Sequence, residues 1–227
     1  MTSDYPACAT CRIDWRQRAC AGGDKSPSGC PTLQDRDLLE QARELLVSGP
    51  DAEFARQASI QECEGYAGRK EGYGSLRPCK PRIEEIAEFA SRMGYRRLGL
   101  AFCIGLREEA RVVQRMFSGR GFEVASVLCK AGSLPKREIG LTREQHINPT
   151  ASFEPMCNPV MQALLLNRHQ TGLNILLGLC VGHDSLFLKH ARAHCTVLAV
   201  KDRVLGHNPL AAVYQYESYY RYLDSGP

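Results

Sequence analysis

From Tyr95 onward, short apolar runs alternate with amphipathic stretches, and this alternation constrains the fold more than any other feature of the chain. The runs RRLGLAFC, FEVASVLC, LNILLGLC and TVLAVKDR have strand length and strand composition. Between and after them, LREEARVVQRMFSGRG, PVMQALLLNRH, SLFLKHARAH and PLAAVYQYESYYRYL read as helices. Near-continuous apolar strands that alternate with helices specify a parallel sheet covered on both faces. Residues 95–227 are therefore expected to form an α/β domain with a Rossmann-like parallel sheet and helices on both faces. One connection, KAGSLPKREIGLTREQHINPTASFEP, is long enough to suggest function.

Upstream, residues 33–94 read as a helical segment. Leu38, Leu39, Ala42, Leu45 and Leu46 fall at helical spacing, and a second helix is expected from about Ala52 to Cys63. A third presents Ile83, Ile86, Ala87 and Ala90 on one face and stops at Gly94. The stretch GYAGRKEGYGSLRPCKP between them reads as a loop. Residues 1–32 hold four cysteines, three glycines and three prolines with almost no apolar periodicity. Such a segment needs a metal or a neighbouring domain to order it, so it is read as a small cysteine-rich metal-binding arm.

At 44% hydrophobic and 24% charged, the chain can bury a core. Its net charge of +4, with basic residues dispersed among acidic ones, does not point to nucleic acid. Residues 1–20 lack the apolar centre of an export signal. The longest apolar stretch, Leu173 to Gly182, is about half a membrane span and contains Asn174. The expected location is the cytoplasm, with no membrane partner. Thiols stay reduced there, so the odd number of cysteines, 11, points to metal rather than to disulfides.

Cys103, Cys129 and Cys180 each close an apolar strand. In a parallel sheet those ends meet at one edge, where ligands bind. Cys157 precedes Asn158-Pro159, a helix cap followed by a proline suited to the first helical position. A thiolate there faces free amides and the positive end of the helix dipole. Glycines at 105, 178 and 182 leave room for a bulky group. Four such thiolates suit an iron–sulfur cluster or structural zinc, and a roomy crevice favours an iron–sulfur cluster of the 4Fe-4S type. A second site is read from Cys8, Cys11, Cys20 and Cys30, whose spacing matches neither a compact ferredoxin run nor a zinc finger. Iron–sulfur and zinc both remain open for it. Cys63, Cys79 and Cys195 are read as bystanders.

His183, Asp184, Lys201, Arg203 and His207 follow strand ends at the same edge as the crevice cysteines. They are candidates to offset the charge of a thiolate-bound cluster or to hold an anionic substrate. The bland alternatives are a helix cap for Asp184 and a mutual ion pair for Asp202 and Arg203. His190 and His194 have the spacing of a zinc pair but no accompanying glutamate, and read as solvated.

The strings LGLAFCIGL, FEPMCNP, LLGLCVGHDSLF and VKDRVLGHNPLAA resemble a prokaryotic family of uncharacterised metal-binding proteins, domain-of-unknown-function family eighteen forty-seven. The likeness takes in most of the chain, including its cysteine-rich start. It implies metal binding through Cys8, Cys11, Cys20 and Cys30, and separately through Cys103, Cys129, Cys157 and Cys180, and it implies no reaction. The resulting expectation is a protein carrying two iron–sulfur clusters with a redox or electron-transfer role and a redox partner protein. One alternative is an enzyme whose cluster has an open iron and acts on a small anionic or sulfur-containing substrate. Another is a zinc-stabilised binding module. The lack of a dinucleotide-binding glycine loop argues against a nicotinamide-linked oxidoreductase.

Overall fold

A computed structural model describes residues 5–224 of the chain, so the first four residues of the cysteine-rich arm and the last three of the α/β domain lie outside it. The chain divides into two compact units, Met1–Glu64 and Gly65–Pro227.

The first unit opens with three short 3-10 turns, Cys8–Thr10, Trp15–Gln17 and Ala19–Ala21. Arg18 ties them together: its Nε donates to the carbonyl of Ile13 (2.7 Å) and its Nη2 to that of Cys11 (3.0 Å). Helices α1 (Pro31–Gln34) and α2 (Arg36–Arg43) follow, then a π-helical turn over Glu44–Ser48 and helix α3 (Ala52–Glu64). The apolar positions of the 38–46 stretch do not form a core. Leu38, Leu39, Leu45 and Leu46 are 56%, 54%, 49% and 51% exposed. A single amphipathic helix has nothing to bury its stripe against until another apolar surface meets it.

The second unit begins with a two-residue antiparallel ladder, β1 (Tyr66–Ala67) against β2 (Arg77–Pro78), within the stretch expected to be loop. Helix α4 (Arg82–Arg92) comes next. Ile86, Ala87 and Ala90 on its inner face are buried in one cluster with Leu98 and Leu100 of the sheet. This helix, grouped by sequence with residues 33–94, therefore belongs to the sheet unit, because its apolar stripe is covered there. The alternation then runs β3 (Arg97–Phe102), α5 (Arg107–Gly119), β4 (Glu123–Leu128), α6 (Pro159–Arg168), β5 (Leu173–Leu177), α7 (His183–His190), β6 (His194–Ala199) and α8 (Leu210–Tyr214).

The four long strands form a parallel sheet in the order β4-β3-β5-β6. Side chains alternate between its faces, as a period of two requires. Leu98, Leu100, Leu173, Ile175 and Leu177 pack with α4 and α5, through Ala110, Val113 and Phe117 of the latter. Ala101 and Leu176 pack on the other face against Ala163 and Leu166 of α6 and Phe187 of α7. Gly99 admits no side chain: a Cβ there would sit 2.1 Å from Oδ1 of Asn174, which accepts from Thr171 Oγ1 at 2.7 Å.

The last expected helix is shorter than its sequence suggests. It stops at Tyr214, and turns continue to a 3-10 segment at Arg221–Asp224. Ser218 Oγ donates to the carbonyl of Gln215 (3.2 Å), a local bond that competes with helix, and Tyr214 and Tyr219 are 73% and 83% exposed with no core to recruit them. Among the described residues no helix is long and apolar enough to cross a membrane.

Candidate functional site

The strand order reverses beside β3, since the chain goes from β3 outward to β4 and returns to the other side of β3 as β5. Loops leaving the carboxyl ends of β3 and β5 then diverge, and the crevice between them is where such sheets bind ligands. Cys103 directly follows β3, Cys129 directly follows β4, and Cys180 lies three residues beyond β5. The register pairs Phe102 with Leu128, so Cys103 and Cys129 emerge side by side.

Three sulfurs form a contact chain. On one side Cys129 lies near enough to Cys103 for the two thiols to shift each other's titration. On the other side it lies 3.9 Å from the sulfur of Cys157. Cys103 and Cys129 are 6% and 3% exposed, and Cys157 is half-buried. The 3-10 turn after Cys103 aims amides at the chain: Ile104 N–H donates to Cys129 Sγ at 3.3 Å, and Gly105 N–H helps to lower the Cys103 thiol. Cys157 is brought in by the start of α6. Asn158 caps that helix through Oδ1, which accepts from Met161 N–H (2.9 Å), while its own N–H donates to the carbonyl of Cys129 (2.7 Å).

The surroundings favour negative charge on the outer two sulfurs. The hydrogen bond from Cys129 is the main reason that Cys103 is lowered to about 5, aided by Gly105 N–H and by Lys201. The interaction of Cys129 with Cys157 likewise lowers the Cys157 thiol to about 5, aided by Lys130 and His183, and the single Cys129 proton serves one of the two sulfurs at a time. Cys129 between them is pushed far up by its two neighbours and keeps its proton. Lys201 approaches closely at Gly105, while Gly178 makes room for Leu106, whose Cδ1 a Cβ there would meet at 2.1 Å. A Cβ on Gly105 would lie 3.1 Å from Lys201 Nζ, and one on Gly178, whose φ is +66°, would lie 3.9 Å from Lys201 Cδ.

The remaining candidates divide. Cys180 contacts Arg203, whose Nη2 is 3.0 Å from its sulfur, rather than the other three thiols. Arg203 is accordingly not paired with Asp202, whose Oδ1 accepts from Val204 and Leu205 N–H at 3.0 and 2.8 Å. His207 is turned into the same local loop, its Nδ1 accepting from Asp202 N–H at 3.1 Å. His183 is the first residue of α7, with Nδ1 buried and unpartnered. Asp184 accepts from Ser185 N–H (2.8 Å) in the first turn of that helix. Cys195 sits at the amino end of β6, away from the crevice, beside Asn174 and the carbonyl of Ala193. Cys79 donates to the carbonyl of Gly65 at 3.3 Å, and Cys63 lies near the end of α3.

Cys8, Cys11, Cys20 and Cys30 all line one cavity of about 910 Å³, together with Arg18 and Lys25. Thiolate donors around a hollow suit a thiophilic metal or cluster. Among the described residues, no group of three or more His, Cys, Asp or Glu stands as ready ligands of one metal ion, either here or at the crevice. Sulfur donors are present at both places, and at neither do they form a ligand shell.

Two residues of the crevice carry weaker sequence signals. Lys130 adjoins a strand-end cysteine, and its Nζ reaches the carbonyl of Pro155 (2.7 Å) beside Cys157. Gln162 is fully buried in α6, and Nε2 donates to the carbonyls of Phe102 (3.2 Å) and Val127 (2.7 Å). A polar residue in a helix gives no sequence sign that it points inward.

Fold and site together define an α/β protein whose parallel sheet carries a row of thiols along its carboxyl edge. More specifically, the chain belongs to the family described as protein of unknown function (DUF1847), which matches residues 30–198. The match starts at Cys30, so the likeness does not take in Cys8, Cys11 and Cys20 as the sequence reading expected. It includes the crevice cysteines and ends before Lys201. The chain is also 47% identical over 135 residues to the uncharacterized protein MJ0455 of Methanocaldococcus jannaschii, covering 60% of this chain and 67% of that protein.

Proposed function

We propose that this chain is a cytoplasmic, cysteine-ligated metal protein, built on a Rossmann-like scaffold, that carries iron–sulfur clusters at two sites and has a redox role. The observation that carries the proposal is the contact chain of Cys103, Cys129 and Cys157 at the carboxyl edge of the sheet, with two backbone N–H groups and Lys201 directed at its sulfurs. Amide-to-sulfur bonds and nearby cations are the means by which a protein tunes a cluster's potential. The hollow lined by Cys8, Cys11, Cys20 and Cys30 supports the second site. A cluster would supply electron storage. The chain's own residues would hold it by thiolate, offset its charge and keep water from the two buried sulfurs.

Two observations favour other readings. The 3.9 Å between Cys129 and Cys157 matches two ligands of one tetrahedral metal, about 3.8 Å apart for bonds of about 2.3 Å. A cubane instead places one thiolate on each iron and needs roughly 6–7 Å, so the zinc-stabilised module is a live alternative at this site. Cys180, held by Arg203, favours the enzyme reading, in which a fourth coordination position stays open to a small anion.

Anoxic purification with iron, zinc and sulfide analysis, plus visible and spin-resonance spectra, separates these readings. The proposal expects iron with a matching amount of acid-labile sulfide. Zinc without sulfide overturns it, and a spectrum that responds to added small anions selects the enzyme.

A further inference from the structure

We propose that Cys129 and Cys157 form a redox modification site, closing to a reversible intramolecular disulfide when they are free of metal. Their sulfurs are already 3.9 Å apart. The backbones that carry them are also bonded together. Asn158 N–H donates to the carbonyl of Cys129 itself at 2.7 Å, and Met156 N–H donates to Leu134 at 2.8 Å. The chain is thus tethered on both sides of Cys157, and the first bond holds the two cysteine backbones next to each other, as a disulfide's short Cα separation of about 4.4–6.8 Å requires. Reaching a bond length of about 2.05 Å requires the sulfurs to close by roughly 1.9 Å. Cys157 can supply that movement because it lies in the connection before α6 and not in the sheet.

The two thiols have different exposures, which sets the order of events. Cys157 is half-buried, whereas Cys129 is 3% exposed, so a small oxidant meets Cys157 first. With a hydroperoxide as oxidant, the Cys157 thiolate attacks the terminal peroxide oxygen and the O–O bond breaks. The alkoxide takes a proton and leaves as an alcohol, and Cys157 becomes a sulfenic acid. The Cys129 sulfur then attacks that sulfur, giving up its proton as it does so; the S–O bond breaks, and the hydroxyl leaves as water with that proton. Two electrons have passed from the thiol pair to the peroxide. A dithiol returns them. Cys103 lies on the far side of Cys129 but is itself buried, at the end of a neighbouring strand, where an oxidant does not reach it first.

While the bond stands, two of the three contacting sulfurs are unavailable as ligands, so oxidation and metal loading at the crevice exclude one another. The disulfide itself does not depend on which metal binds, or on whether one does.

The test is residue-resolved. The reduced, chelator-treated full-length chain is given one equivalent of tert-butyl hydroperoxide without oxygen, alkylated, digested and mapped by mass spectrometry. The expected product is a Cys129–Cys157 crosslink that dithiothreitol reverses, scored separately from any oxidation of the arm thiols. Cys103→Ser should retain the crosslink, and Cys129→Ser should leave Cys157 as sulfenic or sulfinic acid. Recovery of Cys157 alkylated or over-oxidised in the wild type overturns the proposal, as does a crosslink from Cys103 to Cys129. A parallel sample without chelator separates the two readings of the site. Equal crosslinking there means that the crevice holds no metal, and the disulfide stands.

Discussion

The amide of Gln162 in α6 donates to the carbonyl of Val127 at 2.7 Å and, through the same nitrogen, to that of Phe102 at 3.2 Å. Val127 stands two residues before Cys129, and Phe102 stands immediately before Cys103. Helix α6 itself starts two residues after Cys157. A single fully buried side chain therefore ties together the three elements that present the contacting thiols.

Gln162→Met keeps volume and loses the donor. The carbonyl of Phe102 retains its bond from Cys129 N–H, but that of Val127 loses its side-chain partner. Both carbonyls keep their places in the β3–β4 ladder, so the cost is that of the lost side-chain bonds, about 0.5–1.5 kcal/mol each. The expected result is a lower midpoint in thermal or denaturant unfolding and faster alkylation of Cys103 and Cys129. Unchanged stability and thiol reactivity would show that the clamp does not position the site.

Lys201 lies beside Cys103 with its stem near Gly178. A thiolate-bound cluster is anionic, and a neighbouring cation stabilises its reduced, more negative form. On the proposed function, Lys201→Ala lowers the reduction potential in a spectroelectrochemical titration and leaves the metal content per chain intact. A potential equal to wild type removes Lys201 from the site.

The sheet was legible because strands β3 and β5 are apolar on both faces: Leu98 and Leu173 meet one layer of helices, Ala101 and Leu176 the other. Its carboxyl edge was legible for the same reason, since parallel strands deliver Cys103 and Cys129 together. The contact between Cys180 and Arg203 was not legible, because both lie in loops whose path no periodicity encodes. Asp202 shows the same limit. Its carboxylate is satisfied by two amides of its own turn, and the adjacent arginine is left to Cys180. The exposed leucines of α2 mark a further limit, since a helical stripe reveals that a face is apolar and not what covers it.

The described part of the arm has no buried apolar core. Cys8, Cys11, Cys20 and Cys30 surround its cavity, and no described apolar residue of the arm is buried. If metal organises this segment, Cys11→Ser exposes it to limited proteolysis and leaves the sheet unit resistant. A variant arm as resistant as wild type would count against metal as its organiser.

The proposal assigns Cys63, Cys79 and Cys195 to neither group of metal-binding thiols. Replacing all three with Ser or Ala should leave iron, zinc and sulfide per chain unchanged. A drop in any of these would assign one of the three to a site.

The long connection that delivers Cys157 carries its own pH dependence. Glu154 pairs with Lys136, both side chains being only 13% and 12% exposed, and accepts from the N–H groups of Asn148 (2.9 Å) and Ile147 (3.2 Å). The bond from Lys136 is the largest cause of its depression to about 2. An unfolded glutamate titrates near 4.3. A folded value below the unfolded one means that the carboxylate contributes stability that is complete above the unfolded value. That contribution declines as pH falls from about 4 and is gone below about 2. Hydrogen exchange should show the Ile147 and Asn148 amides protected at pH 5 and progressively released below pH 4, after correction for the intrinsic rate. Glu154→Gln, which loses the ion pair, should remove the pH dependence across that window. Because the carbonyl of Pro155 accepts from Lys130 and Met156 N–H holds Leu134, loosening here should also speed alkylation of Cys157. Matching exchange profiles in the two proteins would show that Glu154 does not anchor this connection.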